Sequence, residues 1–290
     1  MSNIERLLME YIIGKQFGEE RALYALSGAR IENCSFAGDE DGVSALKESH
    51  DIEVLHTNFH LRYPFWHTKR AVLVEVAMSE TCRAPLWYAE DINMRQVAIT
   101  GPKAVRECRN MHIDSSNIES AEFGWFSREI SVEQSTVKGE YAFFHSHNLT
   151  FHHLHLEGKY SFQYCKNLVI YDSILNTKDA FWHCDGVTVY DSEIRGEYLA
   201  WYGKNIRLVN CHIVGTQPFC YCEGLVLENC TMENCDLAFE YSSVNAVISS
   251  HVDSIKNPLS GRITVNTVGE IIRDENRRDS EGQMEIIVLA

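Results

Sequence analysis

Apolar residues return every 19 positions through the middle of the chain. Ile92, Met111, Ile130, Leu149, Leu168, Val187, Ile206 and Leu225 form one ladder, seven intervals of 19 with no insertion. Two residues on stand Met94, Ile113, Val132, Phe151, Ile170, Val189, Leu208 and Leu227, and seven residues on stand Ile99, Ile118, Val137, Leu156, Leu175, Ile194, Ile213 and Met232. Between them, five residues on, runs a column of small or slightly polar residues: Val97, Ser116, Ser135, Leu154, Ser173, Ser192, Cys211 and Cys230. Its spacing from the third column keeps it on the inward side. Each repeat therefore reads as period-two alternation, a one-residue corner, and alternation again, which is strand, bend, strand.

A 19-residue unit of three short strands cannot bury its inner face alone, whereas stacked units pair every strand in parallel with its neighbours. The expected fold is all-β: a single-stranded right-handed parallel β-helix. Its hand follows from the chirality of parallel crossovers and from the period, since a left-handed hexapeptide coil would hold multiples of six. Helical solenoids, with periods of roughly 34 to 47 residues, do not fit. The template extends upstream to starts at Ala29, Ile52 and Ala71 and downstream to Asn245, so about twelve rungs are visible, with Asp39 to Gly42 as an outer loop. Gly101, Gly139, Gly158, Gly196 and Gly215 recur nine residues after the ladder start. Asn110, Asn148, Asn167, Gly186, Asn205 and Gly224 precede the next start, and both residue types tolerate positive φ in tight corners.

Open ends of such a coil need caps. Residues 1–28 are expected to form an N-terminal cap, with Ile4, Leu7, Leu8 and Tyr11 at helical spacing behind Ser2 and Asn3. The β-helix is expected over 29–262. Residues 263–290 are expected to close the other end, with Glu270 to Arg273 and Met284 to Leu289 as a β-hairpin around the charged turn Asp274 to Gly282.

The third strand of each rung is aromatic. It reads Pro64-Phe65-Trp66-His67, Phe123-Gly124-Trp125-Phe126, Ala142-Phe143-Phe144-His145, Ser161-Phe162-Gln163-Tyr164, Ala180-Phe181-Trp182-His183, Leu199-Ala200-Trp201-Tyr202 and Pro218-Phe219-Cys220-Tyr221. All five tryptophans, Trp66, Trp87, Trp125, Trp182 and Trp201, fall in one column. In an extended strand the Phe and Trp columns point to opposite faces. The Phe column holds no polar residue while the Trp column admits Arg106 and Gln163, which favours Phe inside and Trp outside. Reversed parity would turn out the Phe column together with that of His67, Glu107, His145, Tyr164, His183, Tyr202 and Tyr221. Either arrangement leaves aromatics on one face, and monomers rarely expose large apolar patches. Three readings stand: loops, the N-terminal segment or a second subunit cover the face; the rings form a carbohydrate platform; or they line a small-molecule site. The ligand-binding candidates are Trp66, Trp87, Trp125, Trp182, Trp201, Tyr160, Tyr198, His145 and His183.

Composition narrows the partners. Of 290 residues 45% are hydrophobic, enough for a sizeable core, and 26 basic against 41 acidic residues leave a net charge of −15. That sign disfavours nucleic acid and anionic membrane surfaces as partners. No stretch approaches the ~18 apolar residues of a membrane span, and the start lacks a signal-peptide pattern, so a cytoplasmic location is expected. Ten cysteines are then expected as reduced core residues. Stacking would bring Cys165 near Cys184 and Cys211 near Cys230, within disulfide range.

Before the aromatic strand, Glu140-Tyr141, Lys159-Tyr160, Lys178-Asp179 and Glu197-Tyr198 stack on consecutive rungs. They read either as a neutralising surface ladder or as a catalytic set, in which Lys159 or Lys178 has a lowered pKa and Asp179 or Glu197 serves as general base, with Glu140 beside them. Asp172 and Asp191 share a corner column on adjacent rungs, but Asn210 and Asn229 continue it, as a turn ladder would. The histidines at 145, 147, 152, 153 and 155 fall on different faces of the template, so no metal site and no cofactor is expected.

Leu61-Arg62-Tyr63-Pro64-Phe65-Trp66-His67, Glu122-Phe123-Gly124-Trp125, Gly158-Lys159-Tyr160-Ser161-Phe162-Gln163-Tyr164, Thr177-Lys178-Asp179-Ala180-Phe181-Trp182-His183, Gly196-Glu197-Tyr198-Leu199-Ala200-Trp201-Tyr202 and Gly215-Thr216-Gln217-Pro218-Phe219-Cys220-Tyr221 resemble the signatures of a bacterial β-helix family catalogued as domain of unknown function three-seven-three-seven. The resemblance runs from about Gly14 to Gly261. It implies a pectate-lyase-like right-handed β-helix and carries no activity, substrate or catalytic residue. The function expected is carbohydrate or polar-ligand binding on the aromatic face, with lyase or hydrolase activity as an extension. The alternative is a structural protein whose aromatic face joins the subunits of a homo-oligomer.

Overall fold

The structure, a computed structural model, describes residues 9–38, 43–276 and 282–290. The chain divides into two compact units, Met1–Gly139 and Glu140–Ala290. Each is a right-handed parallel β-solenoid, with about 14 turns between them among the described residues.

In the first unit the long strands are Glu10–Ile13, Ser27–Glu32, His50–Leu55, Lys69–Val74, Glu90–Arg95, Arg109–Asp114 and Arg128–Glu133. Each pairs in parallel with the next, in the register that places Ile31 beside Val54, Val54 beside Leu73 and Ile92 beside Met111. Strands of two or three residues follow the corner, from Gln16–Phe17 to Asn117–Glu119. The second unit repeats the pattern through His147–His152, Lys166–Tyr171, Asp185–Tyr190 and Lys204–Val209, then lengthens into Leu225–Glu233, Ser243–Lys256 and Ser260–Ile272.

The ladder columns are the core. Ile92, Met111, Ile130, Leu149 and Leu168 are buried, as are Met94, Ile113, Val132, Phe151 and Ile170. Phe17, Phe36 and Phe59 stack at 4.8 and 4.6 Å in the first unit, and Phe143, Phe162 and Phe181 at 5.5 and 5.2 Å in the second. Burying such a side chain contributes about 1.5–3 kcal/mol. The small column also points inward, and its hydroxyls bond along the stack. Ser192 Oγ accepts from the Ser173 amide at 3.0 Å and donates to Tyr190 O at 2.6 Å. The ten cysteines are free and buried, and many do the same work. Cys165 and Cys184 donate to Phe143 O and Phe162 O at 2.8 and 2.7 Å, as the Thr68 hydroxyl donates to Leu46 O at 3.0 Å. Among the described residues no buried side-chain nitrogen or oxygen lacks a hydrogen-bond partner.

Three expectations change. The N-terminal helix is not seen: residues 1–8 lie outside the described part, and Tyr11 belongs to the strand Glu10–Ile13, one rung earlier than the ladder starting at Ala29. Asp39 to Gly42 also lie outside the described residues. The downstream register starts at Val244, which pairs with Leu225, and not at Asn245, because the interval of 19 holds and keeps an apolar side chain inside. The C-terminal hairpin is replaced by a further parallel turn: Ile263 pairs with Ile286 and Val265 with Val288, all in one direction. Ser260–Ile272 thereby finds the same parallel pairing as the other long strands.

Candidate functional site: the aromatic ladder

The aromatic segment of the second unit is not an extended strand. Tyr141, Phe143 and His145 have φ of 58°, 61° and 55°, and the same alternate positions are left-handed at Tyr160, Phe162 and Tyr164, at Asp179, Phe181 and His183, and at Tyr198, Ala200 and Tyr202. Amides still bond from turn to turn. Tyr164 donates to Trp182 O at 2.8 Å, and Phe162 donates to Ala142 O at 2.8 Å. Because this backbone is not extended, neighbouring side chains do not simply alternate between faces. Ala180 and Phe181 are both buried, Trp182 is half-buried and His183 is exposed.

Phe therefore lies inside, as the sequence indicates, but Trp is not the outward column. The indoles of Trp66, Trp87, Trp182 and Trp201 are latched to the following corner. Trp66 Nε1 donates to Ala84 O, Trp87 Nε1 to Lys103 O and Trp182 Nε1 to Tyr198 O at 2.7 Å, and Trp201 Nε1 to Gln217 O at 2.8 Å. Gln163 makes the same bond, Nε2 to Asp179 O at 3.2 Å, which explains a polar residue in this column. Ring faces are occupied as well. Trp66 stacks on Trp87 at 5.3 Å and Trp182 on Trp201 at 5.4 Å, and the Arg106 guanidinium lies 5.3 Å from Trp87 and 5.6 Å from Trp125.

The outermost rings are those of the third column, exposed at His145, Tyr164, His183 and Tyr202 and half-buried at Tyr221. In the second unit His145, Tyr164, His183, Tyr202 and Tyr221 stack at 4.7, 4.9, 4.9 and 4.7 Å, with planes within 8° of parallel. Tyr164 and Tyr202 are 40% and 42% exposed. Parallel stacking at this distance spends each ring face on its neighbour. What remains for solvent is a row of edges carrying phenol hydroxyls and imidazole nitrogens. Reversed parity puts this column outside but brings the Phe column out with it, whereas Phe143, Phe162, Phe181 and Phe219 are buried; the backbone that separates the two columns has no signature in a period-two pattern.

Beside the ladder, Glu140 pairs with Lys159 at 3.3 Å and Lys178 with Glu197 at 3.1 Å, all four well exposed. The hydrogen bond that Lys178 donates to Glu197 raises it above the ordinary lysine value, which corrects the expectation of a lowered one. Lys178 Nζ also sits 5.1 Å from the Tyr198 ring centre, and Tyr160 stacks on Tyr141 at 4.7 Å. Asp179 replaces a tyrosine in that column, is 4% exposed, and burial raises its carboxyl above the usual range. Asp191 accepts from Asn210 Nδ2 at 2.9 Å and Asn210 from Asn229 at 3.0 Å, all at positive φ, so this column is a turn ladder. His152 stacks on Tyr171 and His155 pairs with Glu157. Among the described residues no three His, Cys, Asp or Glu are placed to hold a metal ion.

A family described as "Protein of unknown function (DUF3737)" matches residues 10–287. The chain belongs to that family. No curated protein matches this DUF3737 chain. Solved structures similar to it include PfbA, a surface adhesin of Streptococcus pneumoniae, at 9% identity and TM-score 0.38 over 77% of this chain and 82% of that one. The Azotobacter vinelandii mannuronan C-5 epimerase AlgE6 A-module aligns at 8% identity and TM-score 0.38 over 97% and 89%. The tailspike protein of Escherichia coli bacteriophage HK620 aligns at 9% identity and TM-score 0.36 over 97% and 71%. Likenesses of this grade carry no ligand with them, so the functional reading of the DUF3737 chain rests on its own side chains.

Proposed function

We propose that this DUF3737 protein binds a neutral carbohydrate chain along the ring edges of His145, Tyr164, His183, Tyr202 and Tyr221. The supporting observation is the outer ladder itself, five edges one rung apart at 4.7–4.9 Å, four of them exposed and Tyr221 half-buried. That repeat is close to the length one pyranose adds to an extended polysaccharide, and phenol and imidazole edges exchange hydrogen bonds with sugar hydroxyls. The net charge of −15 favours a neutral ligand over a polyanion. The tryptophans contribute by fixing the corners from which the outer rings project. Lyase or hydrolase chemistry would draw on Asp179, the carboxyl that burial raises beside the ladder, with Lys178 and Glu197 already paired.

Calorimetric titration with cello-, xylo- and maltohexaose tests this. Tyr164→Phe and Tyr202→Phe together remove only two hydroxyls and should weaken binding about tenfold or more at unchanged melting temperature. No binding of any of the three, or binding indifferent to both hydroxyls, would overturn the reading. The alternative, a subunit interface, predicts that the wild type scatters light as an oligomer and that His183→Ala with Tyr202→Ala releases monomers.

A further inference from the structure

The first unit holds a place where the outer ring column is interrupted. His67 stacks on Tyr88 at 4.8 Å with planes 15° apart, and among the described residues no second ring stacks on His67. The equivalent position one rung earlier is Glu48, whose amide donates to Trp66 O at 2.8 Å as the His67 amide donates to Trp87 O at 3.0 Å. A cavity of about 360 Å³ lies there, lined by Glu48, Ser49, His50, His67, Lys69 and Arg70. That volume is within the range of small-molecule sites. The cavity thus coincides with a missing ring in a stacked column.

Its polar groups define what would fit. Glu48 Oε2 accepts from Tyr24 Oη at 2.5 Å, which orients the carboxylate. Lys69 lies 3.6 Å from Glu90, a loose pairing that leaves its N–H donors available. Arg70 is held by Asp51 through Nε at 2.7 Å and Nη2 at 2.8 Å, and His50 Nδ1 meets the same carboxylate at 2.8 Å. Each cation therefore has a carboxylate counterpart, and the wall carries no surplus positive charge for a phosphate. A flat imidazole face, a carboxylate that can take two vicinal hydroxyls, and an ammonium donor together match one face of a sugar ring.

We propose that this notch is a subsite for a single neutral hexopyranose, which occupies the place of the missing ring against His67 with its hydroxyls on Glu48 and Lys69. It lies in the other unit from the ladder and does not depend on it.

The test is titration of the full chain with glucose, galactose and mannose, followed by the His67 imidazole proton resonances. At least one hexose should shift them with millimolar affinity. Glu48→Gln should weaken that hexose about tenfold by losing a charge-assisted acceptor. Glu48→Phe should abolish binding by completing the stack, since Phe126 already fills the same column, and should leave hexaose binding at the ladder unchanged. No shift with any hexose, undiminished affinity in Glu48→Phe, or shifts with inorganic phosphate or adenosine but with no hexose would each overturn the proposal.

Discussion

The two units build the same aromatic segment on different backbones. In the first, the amides of Phe65 and Leu86 donate forward, to Pro85 O and Ala104 O on the next rung, and Leu86–Trp87 and Val105–Arg106 pair as short strands. In the second, Phe162, Phe181, Ala200 and Phe219 sit at φ of 62°, 60°, 61° and 63° and donate backward, to Ala142, Ser161, Ala180 and Leu199. The reversal begins within the first unit, at Gly124, φ 77°, whose amide donates back to Val105 O. Glycine reaches that conformation without penalty. Beyond it, left-handed Phe residues each carry roughly 1–2 kcal/mol of strain, which burial and stacking of the ring offset. Side-chain burial thus selects which residue goes inside, while hydrogen-bond direction is free to differ. The outer column differs too: five rings stack without a break in the second unit, whereas Glu48 and Glu107 interrupt it in the first.

The largest effect that tests this comparison is at the inward phenylalanines. Phe162→Ala and Phe65→Ala should each cost about 3–5 kcal/mol in urea unfolding. Glycine should then separate the units by sign. Phe162→Gly should be about 1 kcal/mol better than Phe162→Ala, because glycine accepts the left-handed backbone, and Phe65→Gly should be worse than Phe65→Ala. The same order at both sites would remove the strain argument.

Alkaline pH comes next. Burial pushes the Cys108 thiol in the first unit and the Cys220, Cys222 and Cys235 thiols in the second up to about 12. An acid raised on folding keeps its stabilising contribution below its unfolded pKa, near 8.5, and loses it as pH rises toward 12, because the unfolded chain deprotonates first. Each thiol should withdraw on the order of 2 kcal/mol by about pH 10, more in total from the second unit than from the first. Cys222→Ser should flatten the profile while keeping the inward hydrogen bond, and an unchanged slope would contradict its burial.

The smallest difference is at the indole latch, which is common to both units. Trp87→Phe and Trp182→Phe should each cost about 1–2 kcal/mol, the penalty of an unpaired carbonyl at Lys103 or Tyr198. Calorimetric melting that finds a cost at only one of them would show that the latch is not equivalent in the two backbones.

The sequence by itself determined the coil. An interval of 19 kept from Ile92 to Leu225 admits few other folds, because inward columns stay aligned only if each turn lies over the last. It also marked the inward serines and cysteines, the left-handed corners at Asn148, Asn167 and Asn205, and the Phe column, since burial and φ preference are properties of single residues. Tertiary structure decided the rest. Strand parity presumes an extended backbone, so the alternately left-handed segment hid the half-buried, latched state of Trp182 and turned Tyr164 and Tyr202 outward. Lys178 meets Glu197 across a turn, and that hydrogen bond, visible only in space, set the direction of its proton affinity. Met284–Val288 took the edge of Ser260–Ile272 in parallel, and because the N–H and C=O groups of a strand edge can pair in either direction, that choice is written in no local pattern.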